Sequence, residues 1–215
     1  MQNIAANGGE IKGTVEKLVA NNIKSGDLKT FNNVEGEFAN RHSIFQGSLK
    51  DQYVNVSVNI KLAKNPFFNI SYGDITKTLE KTGNTEITLK SVSDAIIEIR
   101  QSKLPDPTKI GNAGSFFKNP VVVKSLFSLI QEKHPEIPGY EQPNNQVKVP
   151  AGWLIEQCGW KGKTIGNVGV HENQALVLVN RGGAKGQEVM QLAETIIASV
   201  VDKFGIALSP EVNIV

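Results

Sequence analysis

The chain has almost no cysteine: Cys158 is the only one among 215 residues. No internal disulfide can form, and neither this thiol nor the three histidines stand at metal-ligand spacing, so the reading contains no metal site. Cys158 sits in the apolar segment 153–160 and reads as a buried thiol. An excess of one charge is lacking as well, since 23 Lys and Arg against 21 Asp and Glu leave a formal +2. Charges scattered in this way argue against a nucleic-acid face or a membrane-surface helix, while a small anionic ligand stays compatible with them. No apolar run approaches the ~20 residues of a membrane span, and the first residues carry neither the basic nor the apolar stretch of a secretion signal. The expectation is a cytoplasmic chain with no nucleic-acid and no membrane partner. Repeats and low-complexity segments are missing too.

Common catalytic strings are also missing. Gly162, Lys163 and Thr164 invite a phosphate-loop reading, but the spacing asks for glycine at 157, where the chain has Gln157. Ser115 has no glycine two residues to either side, so it is not the nucleophile of a hydrolase elbow.

What is present is an interleaving of strand and helix patterns. Apolar segments on either side of Lys24, Ser25, Gly26 and Asp27 predict a β-hairpin over 15–31. Val54, Val56, Val58, Ile60 and Leu62 alternate with Asn55, Ser57, Asn59 and Lys61, which predicts a strand with one buried face ending before Pro66. Ser91 followed by Asp94 resembles a capping box, with Val92, Ala95, Ile96 and Ile99 at helical spacing up to about Lys103. Helices are expected over 125–133 and 152–157, the second closed by Gly159, with a short strand at 147–149 and a loop over 135–145. An apolar strand is expected over 175–179. Val189, Leu192, Ile196, Ile197, Val200, Val201 and Phe204 then mark a long helix up to Gly205, followed by a last strand from Ile206. The pattern predicts an α+β chain in two parts, 1–109 and 110–215, divided near the break at Pro105 and Pro107.

Residues 111–120 read Gly-Asn-Ala-Gly-Ser-Phe-Phe-Lys-Asn-Pro. Two glycines let the backbone turn and expose amides, so the Ser115 hydroxyl is expected beside free N–H donors, with Lys118 and Asn119 near. On residues alone the same segment is also ordinary turn chemistry ahead of a core strand, and Arg100 with Lys103 is also a pair of solvated cations at a helix end.

The ten-residue string resembles the serine loop of the UDP-N-acetylenolpyruvylglucosamine reductases. The resemblance extends to Lys103, Leu104, Pro105, Asp106 and Pro107, to 151–157, to 170–181, and to Pro210, Glu211 and Val212. The opening Gln2, Asn3 and Ile4 is similar to a family segment, Gln-Asn-Ile-Gly-Ala-Tyr-Gly, that lies well inside the complete enzyme. Ala5 and Asn7 depart from that segment, and Gly8 is kept.

The resemblance implies a partial FAD-binding domain over 1–109, with Asn3 and Gly8 as remnants of its cofactor site, followed by a small α+β substrate-binding domain over 110–215. It implies an NADPH-linked flavoenzyme of peptidoglycan precursor synthesis that reduces a UDP-linked amino sugar enolpyruvate to UDP-N-acetylmuramate. Ser115 then matches the proton donor, Arg41 the cation facing the enolate, and Glu211 a carboxyl at the same place. Tyr72, Arg100, Lys103, Asn119 and Gln157 match positions that line the substrate. His171 reads as structural.

Beside Arg41 the family reads Phe-Gly-Tyr-Arg-Asp-Ser, whereas this chain has Asn40 and His42 in place of the tyrosine and aspartate. The resemblance also implies that most of the FAD site lies outside this chain, which points to a separately encoded flavin-binding half. The alternatives are a non-catalytic UDP-sugar-binding module and an inactive fragment.

Overall fold

In this computed structural model, which describes residues 1–6, 9–39, 41–71, 73–83 and 86–214, the chain divides into two compact units, Met1–Ile99 and Arg100–Val215. The division falls inside a helix, ahead of the 109/110 boundary expected from the proline break.

The first unit opens on a two-rung ladder of β1 (Ala5–Ala6) and β2 (Gly9–Glu10). β3 (Val15–Asn22) then turns back into β4 (Leu28–Asn32). The Asn22 side-chain oxygen accepts the N–H groups of Lys24 and Ser25, and Gly26 takes φ 77, a left-handed conformation open to a residue without Cβ. The predicted hairpin is therefore present. β5 (Tyr53–Ile60) pairs with the other side of β3, giving the antiparallel order β4-β3-β5. Leu18, Ala20, Phe31 and Phe45 form the small core on one face. Phe31 meets Phe45 and Tyr53 edge-on, at centroid distances of 5.1 and 5.4 Å, an arrangement that adds to their burial.

β5 departs from its expected pattern. Ala20 faces Asn55, Val19 faces Ser57 and Leu18 faces Val58, so Val56 has no opposite residue and is a bulge. Directly opposed residues share a face. Asn55 and Val58 therefore both lie on the Leu18 side, and the alternation is broken. Val54, Val56, Val58 and Ile60 are 58%, 62%, 37% and 50% exposed, so the predicted buried face does not exist here. The bulge also buries the Asn55 side-chain oxygen without a hydrogen-bond donor.

α1 (Ile75–Lys81), which the sequence reading missed, packs Ile75 and Leu79 against Ala95 of α2 (Leu89–Lys103). Thr88 starts α2: its hydroxyl accepts the Ser91 N–H, while the Ser91 hydroxyl accepts the Thr88 N–H. The reciprocal cap thus stands three residues ahead of the expected Ser91–Asp94 box.

In the second unit, β6 (Gly111–Ser115) is followed by β7 (Val121–Val123), α3 (Lys124–Lys133), β8 (Tyr140–Gln142), β9 (Gln146–Lys148) and α4 (Ala151–Gln157). β10 (Thr164–Ile165), β11 (Val168–Val170), β12 (Val177–Asn180) and α5 (Gly186–Phe204) complete it. Two antiparallel sheets result, β10-β11-β12-β6 and β7-β9-β8. α5 buries Leu192, Ala193, Ile196, Val200 and Phe204, a stripe at helical spacing, in one core with Val168, Val170 and Leu178. Gly205 closes the helix at φ 66 and donates its N–H to Val201, as a left-handed cap does. No strand follows at Ile206. A single bridge pairs Pro210 with Phe117, because proline has no N–H with which to continue a ladder.

Candidate active site

The serine segment is a strand with a bulge. β6 pairs Ser115 with Val177 and Asn112 with Val179, three steps against two, and Gly114 takes φ 73 at the irregularity. Such bulges redirect the neighbouring side chain. Two of the amides expected to be free are engaged, however. The Gly114 N–H is donated to the Asn112 side-chain oxygen at 3.0 Å and the Phe116 N–H to the Leu176 carbonyl at 2.7 Å. Both of these amides are therefore engaged, the first within the turn that makes the bend.

The C-terminal tail is stitched to this strand. Glu211 donates its N–H to the Phe116 carbonyl at 2.7 Å, and Lys118 donates to the Ser209 carbonyl at 2.9 Å, on either side of the Phe117–Pro210 bridge. Buried Phe116 and Phe117, whose rings meet at 5.1 Å, anchor the strand in the core. Ser115 is left exposed and Glu211 half-buried. Two residues 96 positions apart in the sequence are thus held on adjacent backbone.

A cavity of about 680 Å³ opens beside Gly114, lined by Arg100, Leu104, Pro105, Asp106, Lys109, Asn112 and Val177 among others. Arg100 comes from the last turn of α2, one turn before exposed Lys103. Thr108 donates to Asp106 through its hydroxyl at 2.8 Å and its backbone N–H at 3.0 Å. These bonds, the hydroxyl first, hold the Asp106 carboxyl below the usual carboxylate range. The wall therefore carries two cations and one fixed anion, and it suits a ligand with both anionic and hydroxyl groups. Sequence reasoning gave Asp106 only as part of a matching string and missed Lys109 and Asn112. The Asn-x-Gly spacing of Asn112 and Gly114 was the available signal.

A smaller cavity of about 340 Å³ is lined by Asn119, Trp153, Glu156, Lys161, Asn173 and Gln174 among others. Asn119 also accepts the Ala151 N–H at 2.9 Å, and so caps the start of α4. Gln157 lines neither cavity. It ends α4, and its carbonyl accepts Lys203 Nζ at 2.6 Å.

Arg41 belongs to the first unit, in a turn closed by the Ala39–His42 bridge, and takes φ 53. The His42 carbonyl also accepts the Asn3 N–H at 3.2 Å, and the Ser43 hydroxyl donates to the Met1 carbonyl. Asn3 is buried, and its side-chain oxygen accepts the Lys12 N–H while its nitrogen donates to Glu10. Both ends of that amide are therefore spent inside the fold. Gly8 and Tyr72, expected at the cofactor and substrate sites, lie outside the described residues, as does Asn40.

Both of these cavities are lined by residues of the second unit, and the Asn3 side chain is engaged within the first, among the described residues. Among them no cluster of His, Cys, Asp or Glu could hold a metal ion, and no helix is long and apolar enough to cross a membrane.

Comparison with known proteins supplies what the geometry alone does not. The family model described as UDP-N-acetylenolpyruvoylglucosamine reductase, C-terminal domain, matches residues 106–215. The UDP-N-acetylenolpyruvoylglucosamine reductase of Flavobacterium johnsoniae is 52% identical over 216 residues, which cover 100% of this chain and 64% of that protein. That of Porphyromonas gingivalis is 49% identical over 213 residues, covering 99% and 63%. A crystal structure of UDP-N-acetylenolpyruvylglucosamine reductase from Thermus caldophilus superposes with a TM-score of 0.60 at 19% identity, covering 99% of this chain and 57% of that one, a likeness of fold. The chain thus spans about 64% of the length of the Flavobacterium relative. On these grounds, the chain belongs to the UDP-N-acetylenolpyruvoylglucosamine reductase family.

Proposed function

We propose that this chain is the substrate-binding and proton-donating part of a flavin-dependent reductase that converts UDP-N-acetylglucosamine enolpyruvate to UDP-N-acetylmuramate in the cytoplasm. The observation that carries the reading is the stitching of Glu211 to Phe116, which puts the Ser115 and Glu211 segments side by side next to the Arg100 cavity. The hydride would come from bound FAD, itself reduced by NADPH.

Ser115 delivers a proton to the carbon left electron-rich by reduction. A hydroxyl is a weak acid, but a carbanion-like carbon is a strong enough base to take its proton. Arg41 supplies permanent positive charge for the enolate carboxylate, and Glu211 lies on the tail that is hydrogen-bonded beside the donor's segment. Arg100 and Lys103, one helical turn apart, and Asn119 contact the sugar nucleotide, with Tyr72 and Gln157 as further candidates.

The test pairs this chain with the part of the Flavobacterium relative that it does not match and follows NADPH oxidation on the enolpyruvyl substrate. Ser115→Ala is expected to lower turnover by about 10²–10⁴-fold with little change in KM. Turnover equal to that of the unmodified chain would remove Ser115 from the mechanism.

A second reading, a UDP-sugar-binding module without redox activity, is favoured by Asn40 and His42 beside Arg41. Calorimetry with UDP-N-acetylglucosamine separates the two. Saturable heat that Lys103→Ala abolishes, together with no NADPH oxidation in the mixture, selects the module, and no heat at all selects an inactive fragment.

A further inference from the structure

Asn112 and Ser115 stand three residues apart, and in a regular strand residues at an odd spacing point to opposite faces. Here they share one. Asn112 is paired with Val179 and Ser115 with Val177, directly opposed residues lie on the same face, and Val177 and Val179 are alternate residues of β12. Leu178, between them, points the other way, into the core that holds Phe116 and the α5 stripe. Phe116 in that core commits its neighbour Ser115 to the opposite face, where the cavity lined by Asn112, Gly114 and Val177 opens. The extra residue of the bulge reconciles the two placements.

The Asn112 side chain holds that extra residue in. Its oxygen accepts the Gly114 N–H at 3.0 Å, and its nitrogen donates to the Ile110 carbonyl at 3.0 Å. Ile110 in turn donates its N–H to the Asp106 carbonyl at 3.0 Å, so a run of hydrogen bonds leads from the Asp106 turn on the cavity wall to the peptide ahead of Ser115. Gly114 takes the left-handed φ of 73 that this closure demands, although a Cβ there would meet no atom within 4 Å. Conformation, not space, calls for glycine at this position.

We propose that Asn112 is a positioning residue for the Ser115 proton donor: its carboxamide clamps the bulge and fixes the angle at which the Ser115 hydroxyl leaves the strand. The inference rests on the proposed role of Ser115 as donor. Asn112 itself moves no proton, since its side chain offers hydrogen-bond donors and an acceptor but no titrating group. Delivery of a proton to carbon depends steeply on direction, and displacing a reacting group by about 1 Å can cost about a hundredfold in rate.

In the full chain, nitrogen-15 relaxation reads the backbone order parameters of Gly114 and Ser115, expected at about 0.85, the value of a rigid backbone. Asn112→Ala is expected to lower both below about 0.6, whereas Asn112→Asp, which keeps the oxygen that receives the Gly114 N–H, leaves them near the unmodified value. In the NADPH oxidation assay used for Ser115→Ala, Asn112→Ala should lower turnover by about tenfold to a hundredfold while KM changes by less than about threefold. Asn112→Asp should restore most of the turnover. Asn180→Ala is the control: that side chain makes a similar clamp, accepting the Gly182 and Ala184 N–H groups at 2.8 and 3.2 Å, so its loss should weaken the fold beside β6 and leave turnover unchanged.

Order parameters unaltered by Asn112→Ala overturn the inference. So does an equal loss of turnover in Asn180→Ala, which would make the effect one of stability alone. Low turnover in Ser115→Ala with full turnover in Asn112→Ala upholds the donor and sinks the clamp. Lowered order parameters in Asn112→Ala, with no NADPH oxidation by the unmodified mixture, uphold the clamp and sink the reductase reading.

Discussion

Thr108 sets the charge state of one wall of the larger cavity. Its hydroxyl is the main support of the Asp106 carboxylate, so Thr108→Val should move the Asp106 titration upward, toward the ordinary aspartate value, while Thr108→Ser keeps it low. A carboxyl held below its unfolded value stabilises the fold above that value and loses the contribution as pH falls through the folded one. Carbon-detected NMR titration of the Asp106 carboxyl reads the shift directly, and an unchanged midpoint in the valine variant would refute the assignment. At this scale the sequence was only partly legible. Ser115 and Glu211 came from resemblance, because residues so far apart carry no spacing signal. The amides around Ser115 were misjudged for a specific reason: the Asn112 oxygen and the Leu176 carbonyl had claimed them. Asn3, matched to a cofactor motif, is buried with its side-chain oxygen and nitrogen each holding one hydrogen bond inside the fold, which no spacing in the sequence signals.

Helices were more legible than strands. The α5 stripe runs over five turns with a glycine stop, and so many repeats at one period outweigh local exceptions. β5 had a pattern as clear as that of α5, but one bulged residue inverted it, because a period of two allows no slack. Short β10 and β11 carry too few residues for any period to emerge. How α4 and α5 dock is likewise a tertiary fact. The Trp160 indole donates to the Ser199 hydroxyl at 2.7 Å, which donates to the Ile196 carbonyl at 2.8 Å, while Lys203 reaches the Gln157 carbonyl. Ser199→Ala strands a buried indole N–H and is expected to cost about 1–3 kcal/mol, with Ser199→Thr retaining most of the stability. Urea unfolding followed by tryptophan fluorescence measures both, and an alanine variant as stable as the unmodified chain would mean that water satisfies the indole. The neighbouring Cys158, expected to be buried, is only half-buried against the core, and that partial burial pushes its thiol up.

For the molecule as a whole, the contrast between the two cores predicts where structure is lost first. Opening free energy follows the apolar surface and hydrogen bonds that a region must surrender, and a small core leaves a unit marginal. The second unit surrounds Val170, Val177, Ile196 and Val200, all fully buried, with two sheets and three helices. The first unit relies on one four-residue cluster around Leu18 and one three-residue cluster around Ile75, and carries the unsatisfied Asn55 oxygen, a burden of about 1–3 kcal/mol. Amides of β11, β12 and α5 should therefore be the slowest to exchange in the isolated chain. Those of β3 should exchange at least about tenfold faster, a gap of about 1.4 kcal/mol in opening free energy. Asn55→Val should narrow the gap by stabilising the first unit alone. Hydrogen-exchange mass spectrometry on the full chain resolves the two sets of peptides. If Leu18 and Ala20 were as protected as Ile196, core size would not govern local stability here.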